Sequence, residues 1–218
     1  AGAITALVNE DSSVAASLIL NVNHLINNAG GYLQTTGNLG VTANDFTNTG
    51  GYVLAIQRTD GSDVDEADSF ANANWSIDAT TLENDAGIIQ KNNDGTLTLL
   101  GTTLSNVNSA GMAVAGTLDI DHTNITNTLS SVIGKNIDID ASSLANSGGV
   151  IQGEQVDIKL TGNLTNAQQT GSAGTLTALV GEDSSSAASL LLDVANLRNT
   201  SSYVQSTDTL NITANSFS

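Results

Sequence analysis

The residues in this chain whose type and spacing can do chemistry are mostly carboxylates. Asp60, Asp63, Asp65, Glu66 and Asp68 crowd one short stretch, RTDGSDVDEADSF. Glu182 and Asp183 open a smaller group in GEDSSSAAS. Alternating carboxylates on a loop can ligate calcium, a hard cation that takes about six to eight oxygens. The spacing here is not that of an EF-hand, and the glycine–aspartate nonapeptide of calcium-loaded β-rolls is missing. The expected reading is therefore a solvated acidic loop with no metal and no cofactor. A third set, Asp119, Asp121, Asp138, Asp140 and Asp157, alternates with aliphatic residues and predicts an outward acidic stripe. Polysaccharide cleavage on such a stripe would need a base or strong cation on the same face. Arg58, Arg198, Lys91, Lys135 and Lys159 are scattered along the sequence, so no enzyme is expected. The stripe reads as a face kept charged against aggregation.

Other candidate residues have plain readings. His24 and His122 show no metal-ligand spacing and read as surface histidines. Trp75 begins an alternating apolar pair and reads as core. Tyr32, Tyr52 and Tyr203 occupy equivalent positions after the glycine corner of the repeat. Facing outward they would stack on glycans; the simpler reading packs them beside the corner.

The elements that must position these residues are short and repeated. Alternating apolar pairs occur at Leu18/Leu20, Leu39/Val41, Trp75/Ile77, Leu97/Leu99, Leu118/Ile120, Ile137/Ile139, Val156/Ile158, Leu190/Leu192 and Leu210/Ile212. A third apolar residue follows seven positions after the first of each pair, eight after Val156: Leu25, Phe46, Leu82, Leu104, Ile125, Leu144, Leu164, Leu197 and Phe217. Two residues on comes asparagine, at 27, 48, 84, 106, 127, 146, 166 and 199. Alternation with a period of two means strands with one face inward. A step of about 20 residues is the period of a solenoid.

Two steps are longer. The extra residues fall at one point of the repeat, before Trp75 and before Leu190, and they carry the acidic stretches. A near copy of the second, NEDSSVAAS, precedes Leu18. A longer order is also present. ITALVNEDSSVAASLILNV at Ile4 to Val22 matches LTALVGEDSSSAASLLLDV at Leu176 to Val194, an offset of 172 residues or about seven short repeats. The fold expected is an all-β, right-handed parallel β-helix of about nine coils with loop insertions at one corner, a single repeat segment over 1–218. The chain opens and stops within repeats and shows no cap, and reads as a segment of a longer rod.

Composition agrees with this. Aromatic residues make up 3% of the 218, glycine occurs 21 times, and there is no proline or cysteine. Thin identical layers fill with small aliphatics, and proline would remove ladder donors. Without cysteine there is no disulfide framework and no thiolate metal site. A net charge of −17 disfavours nucleic acid and anionic membranes as partners. No apolar run reaches membrane-spanning length.

Units such as LEN-AGIIQ at Leu82 to Gln90, and LAN-SGGVIQ-GEQVDIKL-TGNLTN at Leu144 to Asn166, resemble the haemagglutinin repeats of filamentous haemagglutinin-like exoproteins of two-partner secretion. The resemblance implies a secreted rod on the bacterial cell surface, exported through an outer-membrane secretion partner. It implies adhesion or biofilm cohesion, through a glycan or protein on a host or neighbouring cell or through exopolysaccharide. It also admits the shaft of a contact-dependent growth inhibition effector. A β-helical polysaccharide-degrading enzyme is the reading from a different class. The possible contact ridge comprises the insertion carboxylates Asp60, Asp63, Asp65, Glu66, Asp68, Glu182 and Asp183.

Overall fold

The computed structural model describes residues 2–7, 16–55, 73–181 and 186–218. It is all-β, a right-handed parallel β-solenoid of about nine turns with no helix among the described residues. Every pair of strands is parallel, apart from isolated antiparallel bridges at Thr128–Gly148 and Gln169–Ser172.

The apolar residues that repeat in the sequence stack on one another in space. Leu18, Leu39, Trp75, Leu97, Leu118, Ile137, Val156, Leu190 and Leu210 are successive register partners. So are Leu25, Phe46, Leu82, Leu104, Ile125, Leu144, Leu164, Leu197 and Phe217. A third strand contributes Ile4, Leu33, Val53, Ile89, Met112, Val132, Ile151, Leu176 and Val204. Between the end coils these columns are buried, with Phe46, Ile89, Leu82, Leu97 and Leu118 fully so. Each coil thus buries its own few aliphatics against the coils above and below, at the spacing of about 4.8 Å between strands. Ile4 reaches Leu176 in seven coil steps, so the long sequence repeat is a whole number of turns.

The first corner of each coil follows its alternating apolar pair. It breaks the strand in the first coil, between Leu18–Asn21 and His24–Asn28, but is carried within single strands such as Leu39–Thr49 and Gly111–Thr128. The eight-residue spacing after Val156 is taken up by a bulge between Leu160 and Asn163.

The asparagines form one continuous ladder. Nδ2 of each donates to Oδ1 of the next, from Asn27 through Asn48, Asn84, Asn106, Asn127, Asn146 and Asn166 to Asn199, at 2.7 to 2.9 Å. The same Nδ2 atoms also donate to backbone carbonyls, among them Ser131 O at 3.0 Å and Tyr203 O at 2.9 Å. All but Asn199 are buried. The left-handed dihedrals fall two residues later, at Gly50, Ala86, Leu129, Gly148 and Ser201, not on the ladder asparagines. In the pairs Gly30-Gly31, Gly50-Gly51 and Gly148-Gly149 the second glycine serves space: a Cβ on Gly149 would lie 2.6 Å from Asn146 Oδ1 and 2.8 Å from Asn127 O. Ala110, Ser130 and Ser202 stand beyond the turn in three other coils.

Candidate functional site

The insertion carboxylates Asp60, Asp63, Asp65, Glu66, Asp68, Glu182 and Asp183 lie outside the described residues. Their roots are described. Strands ending at Ala6, Ala55 and Ala178 occupy one turn of the coil, and Leu18, Trp75 and Leu190 rejoin one column. The first two insertions are rooted two coils apart, about 10 Å along the axis, and the first and third seven coils apart, about 34 Å.

The strands bring the acidic stripe together as two columns. Asp119, Asp138 and Asp157 are register partners in one; Asp121, Asp140, Lys159 and Asp193 are partners in the next. Lys159 is therefore not scattered. Its Nζ lies 2.9 Å from Asp157 Oδ2 and 3.3 Å from Asp138 Oδ1, which raises its pKa. It is a fixed cation rather than a base. Lys159 is distant in sequence from Asp121, yet its phase in the repeat is that of Asp140 and Asp121.

Asp119 has no such relief. Burial first, then Asp138, Asp121 and Asp140, raise its carboxyl pKa. A raised folded pKa means the ionised form costs stability once the pH exceeds the ordinary carboxylate range. Asp119→Asn should accordingly stabilise the fold at pH 7, by about 0.5 kcal/mol for a partly screened group. The gain should fade as the pH falls below about 4. Urea midpoints of both proteins at pH 7 and pH 3.5 check this; a loss at pH 7 contradicts it.

Beside these columns, at the first corner, is a surface cleft of about 370 Å³. Asp121, Asp140, Lys159 and Asp193 line it, with Thr123, Ser142 and Thr161. His122 also belongs to its lining, and here the structure corrects the sequence reading. The residue is fully buried, not on the surface. It alternates inward with Leu118 and Ile120 and stacks between Gly101 and Ala141. Gly101 makes room for it: a Cβ there would lie 2.8 Å from His122 Cε1. Neither ring nitrogen has a hydrogen-bond partner. Burial lowers its pKa to about 4, while Asp121 and Asp78 pull upward. Repeat alignment carries the signal, since Ala79 and Ala141 hold the same inward phase, but a count of residue types does not reveal it.

His24 is exposed, as expected, with Nδ1 2.8 Å from Asp45 Oδ2. Lys91 is buried in the inward phase that follows Ile89. Its ammonium donates to Asn93 O at 2.9 Å and to Asp94 O, and burial lowers its pKa to about 8 against the pull of Asp94. Trp75 is core, and its Nε1 donates to Gly37 O at 3.0 Å. Tyr32 and Tyr52 are register partners on the outward face, their rings stacked at 5.0 Å and 12°. Tyr203 stands at the same position in the last coil and is exposed.

Among the described residues no group of three or more His, Cys, Asp or Glu side chains is arranged to hold a metal ion. Among the same residues no helix is long and apolar enough to cross a membrane. Comparison with protein-family models, with curated proteins and with solved structures finds no match.

Proposed function

We propose that this chain is a structural and adhesive stalk segment of a secreted bacterial cell-surface filament. The observation that supports the reading is the unbroken register of the stack. Three inward columns and one asparagine ladder run from coil to coil with no layer out of phase. Nine layers at the strand spacing make a rod of about 40 Å. Such a rod resists bending and sets a fixed distance between whatever lies at its ends. Its insertions are rooted at one corner, and loops on a rigid scaffold are where recognition concentrates. The partner in this reading is a cell-surface glycan or protein, or exopolysaccharide. The resemblance to haemagglutinin repeats points the same way, with export through an outer-membrane partner.

Tethering the chain to an inert cell and measuring its adhesion to host cells, to neighbouring bacteria and to exopolysaccharide tests the proposal. Adhesion above that of bare cells supports it; no gain on any surface sinks it. The acidic cleft keeps a second reading in view, that of an enzyme acting on polysaccharide. Its cation is held between two carboxylates and its imidazole is buried, so neither stands ready as a base in the cleft. New reducing ends released from acidic polysaccharides would overturn the stalk in favour of that reading.

The ridge makes a prediction of its own. Removing Asp60 to Ser69 should leave the denaturation midpoint within about 0.5 kcal/mol of the intact chain. Ala55 and Trp75 keep their register without those residues, and loop length enters closure entropy only logarithmically. Loss of cooperative unfolding would show that the insertion holds the coils together.

A further inference from the structure

We propose that the His122 corner is an acid-operated latch. When the ring takes up a proton it leaves the apolar corner column and turns out to the Asp121–Asp140 cleft beside it, loosening the adjoining coils while the rest of the stack stays closed. The geometry carries this. A fully buried imidazole with two unpartnered nitrogens is tolerable only while neutral, because nothing around it accepts the second N–H. The ring sits over Gly101, and its other column neighbours are Ala141 and, beyond that, Leu160. Neither column neighbour offers a side-chain acceptor to an imidazolium.

The groups that face the corner favour its exit. Asp121 flanks His122 on its own strand, and Asp78 acts on it from the strand Trp75–Asp85. The strand Thr96–Val107 contributes no charge. The strand Ser131–Ser147 contributes Asp140 in the cleft, with Asp138 and Lys135 further along. The strand Gln155–Ala167 contributes Lys159, already bound to Asp157 and Asp138. Asp193 closes the cleft from the strand Ser189–Thr200. Asp121 and Asp140 hold no cation among the described residues, so both are free to receive the imidazolium.

The sign follows from linkage. The pKa of the folded state, about 4, lies below the free value of 6.5. The stability of the closed corner is therefore complete above about pH 6.5 and is lost progressively as the pH falls toward 4. Between pH 7 and pH 4 the open fraction should rise roughly a hundredfold.

Amide hydrogen exchange on the full chain, expressed as protection factors at pH 7 and pH 4, reads this directly. Protection at 119–125 and 138–144 should fall roughly a hundredfold, while 52–54 and 203–205 change far less. His122→Leu, which copies the Leu160 of the same column, should abolish the local loss. An equal loss in the variant, or an even loss over all coils, would overturn the latch. Should the variant fail to fold, the ring carbons of His122 can be followed by NMR in the native chain. Titration well below pH 6.5 together with loosening of 119–125 supports the proposal; titration with no change in those amides overturns it.

Discussion

Asn146→Ala should destabilise the rod by about 3 kcal/mol, although it removes no apolar surface of consequence. Asn146 is fully buried. Its Nδ2 donates to Asn166 Oδ1 at 2.8 Å, to Gly149 O at 3.0 Å and to Thr175 O at 3.2 Å, and its Oδ1 accepts from Asn127 Nδ2 at 2.8 Å. Each such bond contributes about 1 kcal/mol net, and a stranded buried acceptor costs about 1 to 3 kcal/mol. Asn127 Nδ2 keeps Ser130 O and Val150 O, so that side of the break is cushioned. Asn166 Oδ1 loses its donor. Asn146→Asp should be worse at pH 7, because a carboxylate oxygen then faces three acceptors with no proton to offer. Its loss should shrink as acid protonates that carboxyl. Equilibrium unfolding in urea at pH 7 and pH 4 separates the two variants. If Asn146→Asp were as stable as the parent at pH 7, the ladder would not contribute as described.

Trp75→Ala should cost about 4 kcal/mol, the range for a large buried aromatic truncated to a methyl. The indole is 1% exposed between Leu39 and Leu97, and it also holds Gly37 O through Nε1. The informative partner variant is Trp75→Leu. Leucine is what the coils on either side carry, so the column is restored and only the missing volume and one hydrogen bond remain. A loss of about half that of Trp75→Ala is expected. Trp75 also closes the coil after the longest insertion, so local opening there should start at 73–77 in the alanine variant. Hydrogen exchange at those amides is the check, and equal losses for Leu and Ala would contradict the column argument.

How much of this was readable beforehand follows from phase. The apolar register could be taken from sequence because each coil repeats the same inward positions, and the strands pair at those positions. The ladder was readable as a column for the same reason. His122 reads as a surface residue by type and Lys91 and Lys159 as scattered cations by sequence position, whereas their phase places His122 and Lys91 inward and Lys159 among the aspartates. The same phase argument that identifies Ile120 as core identifies His122, two residues on. The space function of Gly149 was not readable. It depends on how near the amides of Asn127 and Asn146 approach across two coils, a distance that no spacing in the sequence encodes.

The asparagine ladder also gives the rod a direction. Every amide in it donates the same way, from the earlier coil to the later, and the added bonds to backbone carbonyls fix that orientation against a flip. Aligned amide dipoles polarise one another, so the chain of bonds strengthens as it lengthens. Along the axis the ladder is vectorial: its Asn27 end presents a carbonyl oxygen and its Asn199 end presents an amino group. A further coil can extend it only head to tail, and an inverted coil would set donor against donor or acceptor against acceptor. Any lengthening of this rod, by its own chain or by another, therefore inherits one polarity from a single column of side chains.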